Sequence, residues 1–105
     1  MTDYAEDIKK YTSSVNEAAV KGLVKHLGIA LRSRDSSLVS CSDKTELDRV
    51  RDGFMKKKLA LTDGDDALDS ALAEVCTKMA GDRSKSRVTF YYLVAEKYGK
   101  LAQFG

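Results

Sequence analysis

One histidine, two cysteines and three small groups of basic side chains are the parts of this sequence that could do chemistry. His26 is the only histidine, and a neutral imidazole can act as a general base. It stands one residue before Leu27, at the edge of an apolar helical face, where a cation also favours the negative end of the helix dipole. The expectation is a hydrogen-bonded residue at a helix end. A hydrolase would need a nucleophile and an orienting acid beside it. Cys41, or a loop serine with Asp35, fills those parts only through a geometry that spacing does not supply. Cys41 lies just before a helix start, where the positive end of the dipole lowers a thiol pKa, so it is the candidate reactive thiol. Cys76 falls on an apolar helical face and reads as buried, inert packing. Two isolated cysteines suit a reducing compartment and give no disulfide framework.

The basic residues gather as Arg32 and Arg34, then Lys56, Lys57 and Lys58, then Arg83, Lys85 and Arg87. The last group precedes a helix start, where free backbone donors and cations together suit a phosphate or an RNA backbone. Asp35, Asp82 and the aspartates after Thr62 lie close by in sequence, so the plainer expectation is a solvated, mixed-charge surface. Arg83 and Arg87 are also placed to pair with acids of the fourth helix. The run Asp63-Gly64-Asp65-Asp66 with Glu74 fails as a calcium loop. Ala67 stands where a side-chain oxygen is needed and Leu68 where the turn needs glycine. An acidic helix start is the better reading. No metal site and no cofactor are expected, because metal-ligand spacings, glycine-rich nucleotide loops and nucleophile elbows are missing. Enzymatic activity stays open, with the reading leaning against it.

The elements that position these residues are helices. The chain has 105 residues, 43% hydrophobic and 32% charged, with a net charge of +2 and no proline. That length and balance suit one globular domain over residues 1–105 with a single apolar core. The small net charge does not by itself imply nucleic-acid binding. The acidic start, Met1 to Asp7, has the pattern of neither a signal nor a transit peptide. No apolar run approaches the ~20 residues of a membrane-spanning helix. A cytoplasmic location follows by elimination.

Capping-box patterns open three segments: Asp3 with Glu6, Ser14 with Glu17, and Asp43 with Glu46. The first predicts a short helix over 4–11, with Tyr4, Ile8 and Tyr11 on one side. The second predicts a helix whose face runs Val15, Ala19, Leu23 and Leu27, closed by Gly28 in a left-handed conformation. Gly22 inside it costs about 1 kcal/mol relative to alanine, a cost that close approach by a neighbouring helix or a tyrosine would offset. Residues 32–42 form an irregular stretch, with Leu38 and Val39 tucked onto the core. The third helix carries Leu47, Val50 and Phe54 and ends in Lys56–Lys58. Thr62 or Asp63 caps the fourth, whose face is Leu68, Leu72, Val75, Cys76 and Met79, with Gly81 at its end. The stretch Val88 to Val94 favours strand by composition. No other stretch offers it a partner, so it reads as a helix apolar on nearly every side, with the others packed around it. The helical pattern continues through Tyr98 to Gly99, and Tyr91, Tyr92 and Tyr98 are expected in the core or half-core with their hydroxyls reaching out. A less covered helix would make them a dimer or partner surface.

The stretch Asp82-Arg83-Ser84-Lys85-Ser86-Arg87-Val88-Thr89-Phe90-Tyr91-Tyr92-Leu93-Val94-Ala95-Glu96-Lys97 resembles a family of small bacterial proteins catalogued as a domain of unknown function. So do Lys25-His26-Leu27-Gly28-Ile29-Ala30-Leu31 and Asp35-Ser36-Ser37-Leu38-Val39-Ser40. The resemblance covers nearly the whole chain and implies an all-helical fold and bacterial origin. It implies no activity, ligand or catalytic residue. The resulting expectation is an all-α protein, an irregular bundle of about five short helices with the C-terminal helix central. The leading functional reading is a non-enzymatic module that binds another protein or itself. The alternative is nucleic-acid or phosphate binding through Arg83, Lys85 and Arg87, assisted by Lys56, Lys57 and Lys58.

Overall fold

Among the described residues there are five α-helices, and the C-terminal one packs against the others at the centre. The computed structural model describes residues 4–12, 15–28, 32, 38–81 and 85–104. In chain order the elements are α1 (Tyr4–Ile8), α2 (Glu17–Leu27), α3 (Lys44–Arg49), α4 (Asp65–Lys78) and α5 (Arg87–Lys97). A π-helical stretch, Val50–Lys58, continues α3, and a 3-10 turn, Leu101–Gln103, follows α5. Among the described residues there is no strand, only an isolated antiparallel bridge between Leu38 and Ser86.

The segment with strand-like composition is helical for the reason its isolation suggested. Every residue from Val88 to Ala95 is buried, so each side of α5 faces another element. Ser86 caps it by accepting from the Thr89 amide at 3.5 Å. Thr89 is the one polar residue in that buried run, and its hydroxyl donates to the Asp7 carboxylate of α1. The Tyr92 hydroxyl, fully buried with its ring, accepts from the Asn16 amide at 2.8 Å. Thr12 donates to Glu96 at 3.2 Å. These bonds dock α1 and the start of α2 on a helix too apolar to orient them by itself.

Several expected boundaries move. α1 ends at Ile8, short of Tyr11, after one turn and a little more. Ser14 lies outside the described residues, and Asn16 caps α2, accepting from the Ala19 amide at 3.1 Å. Gly28 is right-handed, with φ −35°, so it is not the left-handed closure expected. Asp43 caps α3 as expected, accepting from Thr45 and Glu46 amides. Gly64, not Thr62 or Asp63, precedes α4 without a side-chain cap, and α4 stops at Lys78, before Gly81.

The third helix widens after Arg49. Val50, Phe54, Met55 and Leu59 are buried. Their intervals of four to five residues lie on one face of the wider i→i+5 turn, whereas an α-turn of 3.6 residues would rotate Leu59 away. The Leu59 amide accordingly bonds to the Phe54 carbonyl at 2.9 Å. Gly22 does serve a close approach, and the neighbour is the end of the chain. A Cβ there would overlap the Phe104 carbonyl and lie 2.8 Å from the Phe104 Cβ.

Candidate functional site

Cys41 and Cys76 are joined by a disulfide with Cα atoms 5.9 Å apart. This overturns three expectations together: that Cys41 is a reactive thiol, that Cys76 is inert packing, and that the cysteines form no bridge. Helical spacing placed Cys76 correctly on the inward-leaning side of α4, where it is half-buried. It could not show that the approach to α3 lays Cys41 on that spot from 35 residues away. In this state Cys41 has no S–H for a base to deprotonate and supplies no thiolate nucleophile.

Neighbours of the bridge are polar and engaged. The Val39 amide donates to the Lys85 carbonyl at 2.8 Å. Arg87 donates to the Leu38 carbonyl at 3.2 Å and to the Tyr91 hydroxyl at 3.3 Å. It also forms an ion pair with Glu46, at 12% and 18% side-chain exposure. The buried Glu46 Oε1 has no well-directed hydrogen bond and rests on that charge. Arg87 thus pairs with the third helix, where the fourth was expected. Burial pushes the Tyr91 phenol above its ordinary range, against the opposing pull of the Arg87 charge.

The acids of α4 are met instead by Arg51 and Lys56. Arg51 Nη1 lies 3.1 Å from Asp69 and 3.3 Å from Asp48, while its Nε lies 2.9 Å from Asp52. Lys56 pairs with Asp65 and, at 3.4 Å, with Asp52. Bonds to Asp52 and Asp69 raise the Arg51 pKa. The Arg51 partner lowers Asp52, and Lys56 lowers Asp65. Among the described residues no three acidic, histidine or cysteine side chains group to hold a metal ion. Of the candidate basic residues, Arg83 and Arg34 lie outside the described residues. Lys57 is exposed at the end of the π-helical stretch, and Lys58 sits over the Phe104 ring, 5.4 Å from its centre. Lys85 contributes its backbone to the bridge region. Arg87 and Lys56 are committed to carboxylates, so among the described residues these side chains form no united phosphate cradle.

Among the described residues, His26 meets aromatic rings and not the hydrogen bond expected of it. Its ring lies 6.2 Å from both Phe54 and Phe104. Partial burial, helped by the nearby Lys58 charge, lowers its pKa below 6.5. Phe54 in turn lies 4.2 Å from Tyr91 and 5.8 Å from Phe104. The cluster ties α2, the π-helical stretch, α5 and the chain end together.

The outer seam between α4 and α5 was not singled out by sequence reasoning. A shallow groove of about 310 Å³ runs there, floored by Val75 and Leu93 and edged by Glu74, Lys78, Glu96 and Lys97. Glu74 and Lys97 pair across it. A second hollow of about 330 Å³ shares Lys78 and reaches Lys10, Tyr11 and Gly81. The i, i+4 charges Glu74 and Lys78 were visible in the sequence, but only the packing of α4 on α5 sets them across one depression from Glu96 and Lys97. Among the described residues no helix is long and apolar enough to cross a membrane.

No curated protein matches the chain. Residues 3–102 match the family described as "Protein of unknown function (DUF2853)". With that match spanning almost the whole all-helical chain, the protein belongs to the DUF2853 family.

Proposed function

We propose that the protein is a non-enzymatic interaction module and that the α4–α5 groove is where a protein partner rests. The observation that carries this is the groove's make-up: an apolar floor of Val75 and Leu93 between rims of both charge signs. A shallow depression of that kind suits a polypeptide with mixed charges. An enclosed, deep cleft is what a small substrate needs. The aromatic residues of α5, which the sequence offered as a second interaction surface, are buried and give the proposal no support. The sedimentation profile and the captured proteins should both depend on the groove. Crosslinking from the native cell is expected to recover a defined polypeptide, or a second copy, with the native chain and not with a Lys78→Glu/Lys97→Glu variant. Equal recovery by both would defeat the proposal.

Phosphate or nucleic-acid binding is the second reading, supported by the exposed Lys57 and by Lys58 at the same helix end. It requires RNA affinity that falls steeply with salt. A flat polarisation signal at low salt removes it. The expected cytoplasmic setting rested partly on two separate thiols, and the Cys41–Cys76 bond withdraws that support. The bond fits an oxidising compartment or a bridge that opens and closes.

A further inference from the structure

We propose that the Cys41–Cys76 bond is a redox-controlled clamp that holds residues 38–43 over the Arg87–Glu46 pair. The bond joins the approach to α3 with the last turn of α4, and both cysteines are half-buried, within reach of a reductant. Apart from buried Val39 and half-buried Leu38 and Cys41, the clamped segment is exposed, and it lies outside the helices. Among the described residues, the Val39 amide donates to the Lys85 carbonyl, just before α5, and Arg87 donates to the Leu38 carbonyl. Val39 is the buried apolar anchor beside them. Ser40 and Ser42 bond to each other at the surface. By contrast, α5 keeps its own helical bonds and eight consecutive buried residues whatever the state of the bond. The molecule therefore contains a weakly held unit stitched to a strongly held one, the arrangement in which a local opening precedes global unfolding.

The chemistry is thiol–disulfide exchange with a dithiol reductant. One thiolate attacks a bridge sulfur, the S–S bond breaks to a mixed disulfide, and the second thiol resolves it. Two electrons and two protons pass to Cys41 and Cys76, and the reductant leaves as its cyclic disulfide. Re-oxidation by a small disulfide reverses each step. In the reduced state the Arg87 side chain loses its cover from the Leu38 carbonyl, so the redox state sets how open that charged corner is.

The test uses the intact chain with dithiothreitol as the reductant and iodoacetamide as the thiol probe. Mass analysis of the untreated protein is expected to show no alkylation, and of the reduced protein two additions. Amide exchange is then followed by NMR. On reduction the Val39 amide should exchange faster by about tenfold more than the amides of α5 do, with helical circular dichroism retained. A Cys41→Ser/Cys76→Val variant should show the fast Val39 exchange without reductant. Alkylation before reduction overturns the proposal. So does unchanged Val39 exchange in the reduced protein or in the variant, and so does loss of the helical signal on reduction, which would make the bond a structural stitch.

Discussion

Replacing Gly22 by alanine would test how the chain end is held. In an isolated helix the change stabilises by about 1 kcal/mol, because glycine has more backbone freedom to lose. Here the added Cβ would overlap the Phe104 carbonyl. That is backbone, and it cannot swing aside as a side chain would, so the Leu101–Phe104 turn has to leave α2. Phe104 is only 9% exposed, and it stacks on Phe54 and lies under Lys58. Unburying a phenylalanine costs about 3 kcal/mol. Set against the helical gain, Gly22→Ala is expected to cost about 2 kcal/mol net. Phe104→Ala alone should cost about 3 kcal/mol. The double variant should also cost only about 2 kcal/mol, since the ring cannot be lost twice and the helical gain remains. Urea unfolding followed by circular dichroism measures all three. A Gly22→Ala protein more stable than the native chain would refute the reasoning. Strict additivity of the two changes would refute it as well.

Further outcomes follow from the same packing. Arg87→Met should cost about 2 kcal/mol in urea, less than for a fully buried pair, because Glu46 keeps a charge with little water. Adding Glu46→Gln should recover part of that loss, and a variant in which it recovers none contradicts the pairing. Thr89→Val strips the Asp7 carboxylate of its buried donor and should cost about 1–2 kcal/mol. Its thermal midpoint would be unchanged if that bond were idle. His26 has a folded pKa below its unfolded value of 6.5, so the unfolded chain binds more protons between the two. Its contribution to stability is complete above pH 6.5 and is lost as pH falls through the folded value. An NMR titration should place the midpoint below 6.5 and move it upward in Lys58→Gln; a midpoint at 6.5 in both would remove the Lys58 effect. Breaking the Cys41–Cys76 bond, which spans 35 residues, should cost about 4 kcal/mol by loop-closure entropy. Equal unfolding midpoints with and without reductant would contradict that.

Local periodicity carried most of the fold. The face Leu68, Leu72, Val75 and Met79 is buried as its spacing required, and Asp43 caps α3 as its position implied. The helical state of Val88–Val94 came from a non-local consideration, the lack of any strand to pair with, and α5 proves it sound. What spacing could not carry is which distant residues meet. Gly22 announced a close neighbour, yet nothing local named the Phe104 carbonyl. Cys41 and Cys76 read as separate thiols because a bridge depends on where a loop crosses a helix. Arg51 drew no notice, although it gathers Asp48, Asp52 and Asp69, because a single arginine among aspartates is common on helical surfaces. Thr89 was the missed local signal: a hydroxyl inside a run of apolar residues has to find a partner, and it finds Asp7. The widened turn was also written in the spacing of Val50, Phe54, Met55 and Leu59, which fits an i→i+5 helix better than an α-helix.

Everything proposed about the surface depends on α5 being sealed inside the other helices. Native-state amide exchange reads that directly. The amides from Tyr91 to Ala95 should be the slowest in the protein, opening only with global unfolding. If they exchange as fast as the exposed turns of α2, the aromatic helix lies open to solvent and the architecture described here is wrong.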